Sequence, residues 1–279
     1  MFSRMRRGWE LTKKSWGVIR SHPGLAKLPL TGGAFAVVAA LVLCLPGAAL
    51  IATDSTGGLI GGIALVAVGA YLASFAVIYF NVILAAAADQ ALQGHRPNVA
   101  AARRVARGRI VVIAEWALVS AIVSTLLSIV RDRGGVAGGI GAAIGGAIWS
   151  LVTFLVVPVL AFEGIGPIQA IKRSAHLFRQ RWGQQVTGNI AIGGIAGLGI
   201  LLGIVLVVVG VAIVATSSAT GAVLGGVLLA VGLVVAIAAA VFAGATRGVF
   251  GVALYRFVAE DQALAPFTVA DLEGAARVK

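Results

Sequence analysis

Charge is what this chain of 279 residues has least of: Asp, Glu, Lys and Arg make up 11% of it, against about a quarter of a soluble globular domain. Hydrophobic residues make up 59%, which excludes the soluble classes and leaves a polytopic membrane protein. Cysteine occurs once, as Cys44 inside an apolar run, so an internal disulfide and a multi-cysteine metal site are both excluded. The three histidines, His22, His95 and His176, stand far apart in basic segments. No HExxH, P-loop or nucleophile-elbow pattern occurs, and the glycine strings lie in apolar runs rather than after strands. Glu115 and Glu163 are lone carboxylates, a weak catalytic signal. The expectation is a non-enzymatic protein with no catalytic, cofactor-binding or metal-binding residue.

Acid is scarcer than base, with 10 Asp and Glu against 22 Lys and Arg, for a net charge of +12. In a soluble chain that balance would point to nucleic acid. Here the basic residues gather in short segments between apolar runs: seven in residues 1–27, five in 92–109, four in 163–186 and three in 256–279. Only Arg131 and Arg133 fall in the three opposite turns, and Arg247 lies within the last apolar run. By the positive-inside rule both termini and all large loops face the cytoplasm of a prokaryotic cell membrane. Anionic lipid is the expected partner, since a basic residue at such a surface gains about 1 kcal/mol. A protein partner or a second copy of the chain is expected at the same face, and nucleic acid is not.

The order of segments predicts one membrane domain over residues 1–279, an all-α bundle of six transmembrane helices with two or three cytoplasmic amphipathic interfacial helices. Residues 1–27 form an interfacial helix, 28–92 the first two spans, 93–109 a basic loop or helix and 110–162 spans three and four. Residues 163–186 form a second interfacial helix, 187–258 spans five and six, and 259–279 a cytoplasmic tail. Leu41-Val42-Leu43 before Cys44 is too bulky for a lipoprotein cleavage site, so the first span reads as an uncleaved anchor. The run from Gly57 to Leu92 exceeds the ~20 residues of a crossing, so its inner end must tilt or project. Span four, read as continuous over 135–162, opens on glycines paired at four-residue spacing, Gly134 with Gly138, Gly135 with Gly139 and Gly141 with Gly145. Small residues so spaced let helices approach closely in lipid.

The interfacial helices read as copies of one device. Setting Trp16-Gly17 over Trp182-Gly183 places Arg6-Arg7 on Lys172-Arg173 and Leu11 on Leu177 without a gap. In the first copy Phe2, Met5, Trp9, Thr12, Trp16 and Ile19 form one stripe; in the second, Ile168, Ile171, Ala175, Phe178 and Trp182 do. Such helices lie in the headgroup plane with indoles at the interface, or pack on the protein's own cytoplasmic face. Trp9, Trp16, Arg6, Arg7, Lys172, Arg173, Phe178 and Trp182 are the expected membrane-surface or partner contacts.

Four polar residues share a level in the inner leaflet by residue counting: Asn81, Glu115, Glu163 and Arg247. One reading makes them a polar vestibule of a transporter or channel, with Glu115 and Arg247 as a site for a zwitterionic lipid or solute. The other makes them a structural clamp, Arg247 snorkelling and Glu115 pairing with Arg109 or Arg247. No span is visibly broken by a polar stretch, which favours an inner-leaflet scaffold over a transporter.

A group of motifs carries a family resemblance: Trp9 to Trp16 (WELTKKSW), Leu28-Pro29-Leu30, Tyr79-Phe80-Asn81-Val82, Val157 to Leu160, Glu163 to Ile168, Lys172 to Ala175 and Ala253 to Arg256. Together they resemble an uncharacterised six-span prokaryotic membrane-protein family, a domain of unknown function. The layout is more remotely similar to the membrane domains attached to some bacterial glycerophosphodiester phosphodiesterases. Their catalytic domain has no counterpart in this sequence, so the resemblance implies an architecture and no activity.

Overall fold

Two helices outlast any bilayer they would cross, and the fold is built on their surplus length. The computed structural model describes residues 2–53, 55–182, 191–215 and 219–274, with side chains for all of these except 2–8, 136, 181–182, 191–200, 219–222 and 274. Among the described residues there is no strand. The helices are α1 (Phe2–Ser21), α2 (Gly24–Ala39), α3 (Leu45–Ile51), α4 (Thr56–Leu92), α5 (Val99–Gly108), α6 (Ile110–Arg133), α7 (Gly135–Val152), α8 (Val156–Phe162), α9 (Pro167–Trp182), α10 (Ala191–Val214), α11 (Ala219–Glu260) and α12 (Val269–Gly274). At 1.5 Å per residue, the 37 residues of α4 and the 42 of α11 reach well beyond a hydrocarbon core of about 30 Å.

Burial is polarised along the bundle. Every residue from Val82 to Asp89 of α4 is buried, as are Val249 to Tyr255 of α11. Leu11, Val18 and Ile19 of α1, Ala102 and Ala106 of α5, Val156 to Ala161 of α8 and Leu177 of α9 join that core from around it. The large exposed apolar side chains concentrate at the other end, between 35 and 72, 118 and 148, and 201 and 237. Five segments are long and apolar enough to cross a membrane: Gly24–Ile51, Thr56–Leu92, Ile110–Arg133, Ala137–Phe162 and Val223–Glu260. Leu201–Val214, the apolar part of α10 with described side chains, is shorter, and the expected start of that span at Thr187 lies outside the described residues.

At the exposed end the helices pair as hairpins sealed by glycine. A Cβ on Gly62 would sit 2.5 Å from the Gly47 carbonyl oxygen, and one on Gly47 would sit 2.8 Å from that of Gly62. Gly210 faces Gly225 and Gly203 faces Gly232 between α10 and α11 in the same reciprocal way. Of the glycines expected to seal α7, Gly134, Gly138 and Gly145 do meet close neighbours, whereas Gly135, Gly139 and Gly141 face open space. Only one side of a helix can touch its partner, and four-residue spacing alone does not say which.

Two spans depart from the continuous helices expected of them. Between α2 and α3, Ala40–Cys44 is a π-helical turn, placed just before Pro46. Proline has no N–H to return to the carbonyl four residues back and its ring crowds that carbonyl, and a widened turn relieves both. Span four is broken outright, with α7 ending at Val152 and α8 starting at Val156 ahead of Pro158. The broken backbone is not left bare. Ser174 of α9, fully buried, donates from Oγ to the Val152 carbonyl at 2.6 Å and accepts the Leu155 N–H at 3.3 Å. The 18 residues of α7 cover ~27 Å, so the break falls where a crossing ends and α8 belongs to the inner core.

α1 and α9 bury stripes displaced from those the indoles suggested. On α1 the buried residues are Leu11, Thr12, Ser15, Val18 and Ile19, with Trp9 and Trp16 exposed beside them; on α9 they are Ala170, Ser174 and Leu177, with Ile168 exposed. Leu11 and Leu177, matched by the repeat, are buried alike. Ser174→Ala leaves a buried carbonyl and a buried N–H unpaired at the α7–α8 break, an expected loss of about 1–3 kcal/mol, read as a lower thermal unfolding midpoint in detergent. Ser174→Thr, which keeps the hydroxyl, recovers part of that loss.

Candidate functional site

Asp89 closes the alanine run of α4 and is buried, 8% exposed, in the last turn of its helix, where the helix dipole disfavours an acid. A cation must therefore meet it. Arg256 of α11 does so bidentately, Nε to Oδ1 at 2.8 Å and Nη2 to Oδ2 at 2.7 Å, and Gln93 donates to Oδ2 at 3.0 Å. The remaining guanidinium nitrogen, Nη1, pairs with Glu260, and the carbon of the group lies 4.8 Å from the centroid of the Phe162 ring. Planar fork and ring face together use the geometry only arginine offers.

The network continues through Phe162, the last residue of α8. Its ring stacks on Tyr255 at 5.3 Å, and the Tyr255 hydroxyl donates to Oε1 of Glu163 at 3.0 Å. Arg173 of α9 donates from Nε to that same oxygen at 2.9 Å. After Glu163 the chain turns at Gly164, whose φ of +63° is unstrained only for glycine. The Arg109 guanidinium occupies the space a Cβ there would need, and the Glu115 carboxylate lies beside Gly166. Four elements, α4, α8, α9 and α11, are thus joined by ion pairs and ring contacts in one layer at the core end of the bundle.

The C-terminal tail is tied in separately. Thr268 and Asp271 cap α12 reciprocally: the Thr268 N–H donates to Oδ2 of Asp271 at 2.8 Å, and the Asp271 N–H donates to Oγ1 of Thr268 at 3.2 Å. Lys14 of α1 pairs with the same carboxylate, while Phe267 and Leu272 are buried. Burial raises the Asp271 carboxyl, but the hydrogen bonds from Lys14 and Thr268 outweigh it and hold the group below its ordinary value.

Of the four residues expected to share a polar layer, only Glu163 enters the network. Asn81 is half-buried on α4, and Glu115 and Arg247 are exposed. Among the described residues no ion pair joins Glu115 to Arg109 or to Arg247, which corrects the expected clamp. The clamp is made instead by Arg256. Nine residues along α11 turn the helix by about 900°, so Arg256 and Arg247 point to opposite sides.

The expected surface contacts divide similarly. Trp9 is exposed with the Lys13 ammonium 5.3 Å from its ring centroid, and Trp16 packs 4.9 Å from Phe242 of α11. Lys172 is exposed, Phe178 is half-buried, and Arg173 is committed to Glu163. The side chains of Arg6, Arg7 and Trp182 lie outside the described residues. Sequence reasoning missed Asp89, Ser174, Tyr255 and Arg256. An acid closing a run of four alanines was the signal for Asp89, and Arg256 stood in a quoted motif without a role.

Among the described residues no three His, Cys, Asp or Glu side chains are grouped to hold a metal ion. The polar groups brought together donate to and accept from one another, an arrangement that fastens helices.

An all-helical bundle with five apolar segments of spanning length, its ion pairs gathered at one end, is the structure of an integral membrane protein. Residues 61–264 match the family described as "Family of unknown function (DUF6159)", and the chain belongs to that family. The match takes in the Asp89–Arg256 and Glu163–Arg173 pairs and leaves out α1 and the first span. No curated protein and no solved structure matches the sequence.

Removing either partner of the buried Asp89–Arg256 pair strands the other charge, so Asp89→Ala and Arg256→Ala are each expected to cost about 3–5 kcal/mol. The double variant Asp89→Leu/Arg256→Leu loses less than either single change; a double-mutant cycle of detergent unfolding midpoints measures the difference.

The contribution of Asp271 is fully present above the carboxyl's ordinary value and is lost as pH falls through its lowered value. Protection of residues 267–273 against protease is therefore expected to fall only below about pH 4. Asp271→Asn makes that protection independent of pH in the same range.

Proposed function

We propose that this chain is a six-span, non-enzymatic protein of the prokaryotic cell membrane, with both termini cytoplasmic, that organises anionic lipid or a partner complex at the inner leaflet. The sixth span in this reading is α10, paired along its glycines with α11. Orientation follows from the nineteen basic residues gathered in the termini and large loops. The ion-paired end of the bundle then faces the cytoplasm, and the exposed apolar end lies in lipid. Trp16, exposed on α1, supplies an indole suited to that interface.

One observation carries the reading. α5 turns Ala102 and Ala106 into the core and leaves Arg103, Arg104 and Arg107 exposed, three cations on a short helix that no ion pair among the described residues engages. At the inner interface such a face collects anionic headgroups. The side chains of Trp9, Trp16 and Lys172 are exposed as well. Asn81, Glu115, Glu163 and Arg247 take no catalytic part in this reading.

The transporter alternative is favoured by one specific feature, the α7–α8 break, because broken helices line many transport sites. Ser174 occupies both freed backbone groups, and irregular backbone buried in protein serves structure equally well.

The test uses the full-length protein in nanodiscs of mixed phosphatidylglycerol and phosphatidylcholine. The wild type is expected to enrich the anionic lipid around itself, and the triple variant Arg103→Gln/Arg104→Gln/Arg107→Gln to lose most of that enrichment while keeping its unfolding midpoint. Equal enrichment by both proteins overturns the lipid-organising role. Solute flux in proteoliposomes that Arg247→Ala abolishes would establish the transporter instead.

A further inference from the structure

Glu115 stands in surroundings that no part of the clamp explains. It lines a shallow, laterally open groove of about 550 Å³ between α4 and α6, whose other walls include Tyr71, Leu72, Phe75, Val111, Ala114 and Leu118. The two walls are tied where the Tyr71 hydroxyl donates to the Ala114 carbonyl at 3.4 Å. An ionised carboxylate facing apolar side chains and lipid is unfavourable unless a cation meets it. Among the described residues no ion pair supplies one.

A second charge stands nearby, and among the described residues no ion pair engages it either. The Arg109 guanidinium lies over Gly164, and an oxygen of Glu115 is 3.9 Å from where a Cβ of Gly166 would be. Cation and anion thus flank the two ends of one three-residue segment without joining each other. A free Arg and a free Glu held apart in this way complement a zwitterion, with a phosphate for the guanidinium and an ammonium for the carboxylate.

We infer that the α4–α6 groove is a binding site for one aminophospholipid, an acyl chain lying along Leu72, Phe75, Val111 and Leu118 while Glu115 takes the primary ammonium and Arg109 the phosphate. A primary ammonium donates three hydrogen bonds, whereas the quaternary ammonium of a choline headgroup donates none. A glycerol headgroup leaves Glu115 without a cation. The order of preference is therefore ethanolamine, then choline, then glycerol. The inference rests on the membrane placement proposed above but not on the basic face of α5, which lies on another element.

The experiment is native mass spectrometry of the full-length protein released from nanodiscs with equimolar phosphatidylethanolamine, phosphatidylcholine and phosphatidylglycerol. The wild type is expected to retain one phosphatidylethanolamine at about tenfold preference over the other two, a difference of about 1.4 kcal/mol. Glu115→Gln removes the preference and Glu115→Asp keeps part of it, whereas Arg109→Gln lowers retention of all three lipids, because each carries the phosphate. Leu118→Trp, which fills the groove and leaves both charges, lowers retention of all three lipids. Equal retention by the wild type, selectivity surviving in Glu115→Gln, or undiminished retention in Arg109→Gln overturns the inference. Loss of selectivity here with anionic enrichment intact separates failure of this site from failure of the lipid-organising role.

Discussion

An arginine drawn partly out of solvent must find acceptors for its donors, and in this protein the requirement falls on Arg256. Its guanidinium spans Asp89 on α4 and Glu260 on its own helix while resting on the face of Phe162. With charges so poorly solvated, geometry rather than mere proximity decides whether the arrangement is favourable. α4 and α11 must keep their register to preserve the fork, and α8 must hold Phe162 beneath it. Glu163, one residue further on, then receives Tyr255 and Arg173 and brings α9 into the same frame.

Backbone groups obey a parallel rule. Where Pro158 forces α7 and α8 apart, the loose carbonyl and N–H are met by a serine from a helix that the sequence places on the surface. α9 is therefore part of the spanning architecture as well as its cover. Away from this end, contact between paired helices depends on bare Cα atoms such as those of Gly47 and Gly62. The molecule thus has a base cross-linked by polar groups and hairpins joined by close backbone packing.

Much of this was legible in composition and spacing. Apolar runs located the long helices, and the surplus length of Gly57 to Leu92 pointed to a projecting inner end, which the buried stretch Val82 to Asp89 explains as protein core. The repeat matched Leu11 with Leu177 correctly because leucine at both places faces a neighbouring helix. The indoles misled the choice of stripe: a large ring with an N–H is as content at the rim of a core as within it. The site was harder to read. Charges were ranked by depth along a span, whereas pairing depends on which side of the helix each one leaves, and that put Arg247 where Arg256 belonged. A serine mid-way along a basic helix gave no hint of its partners, because the break it serves lies about 20 residues earlier in the chain.

The placement of the core has a bearing on how the chain assembles as it is made. Its central pair joins Asp89 in the first third to Arg256, and Lys14 waits for Asp271, which is made later still. Each hairpin can enter the lipid as it emerges, carrying its own glycine seam. The base cannot close around them until α11 has left the ribosome. Until then Asp89 and the alanine face behind it stay unshielded, in the proposed orientation on the side of the membrane where synthesis takes place, a window in which a folding helper or a neighbouring chain has access that the finished protein denies.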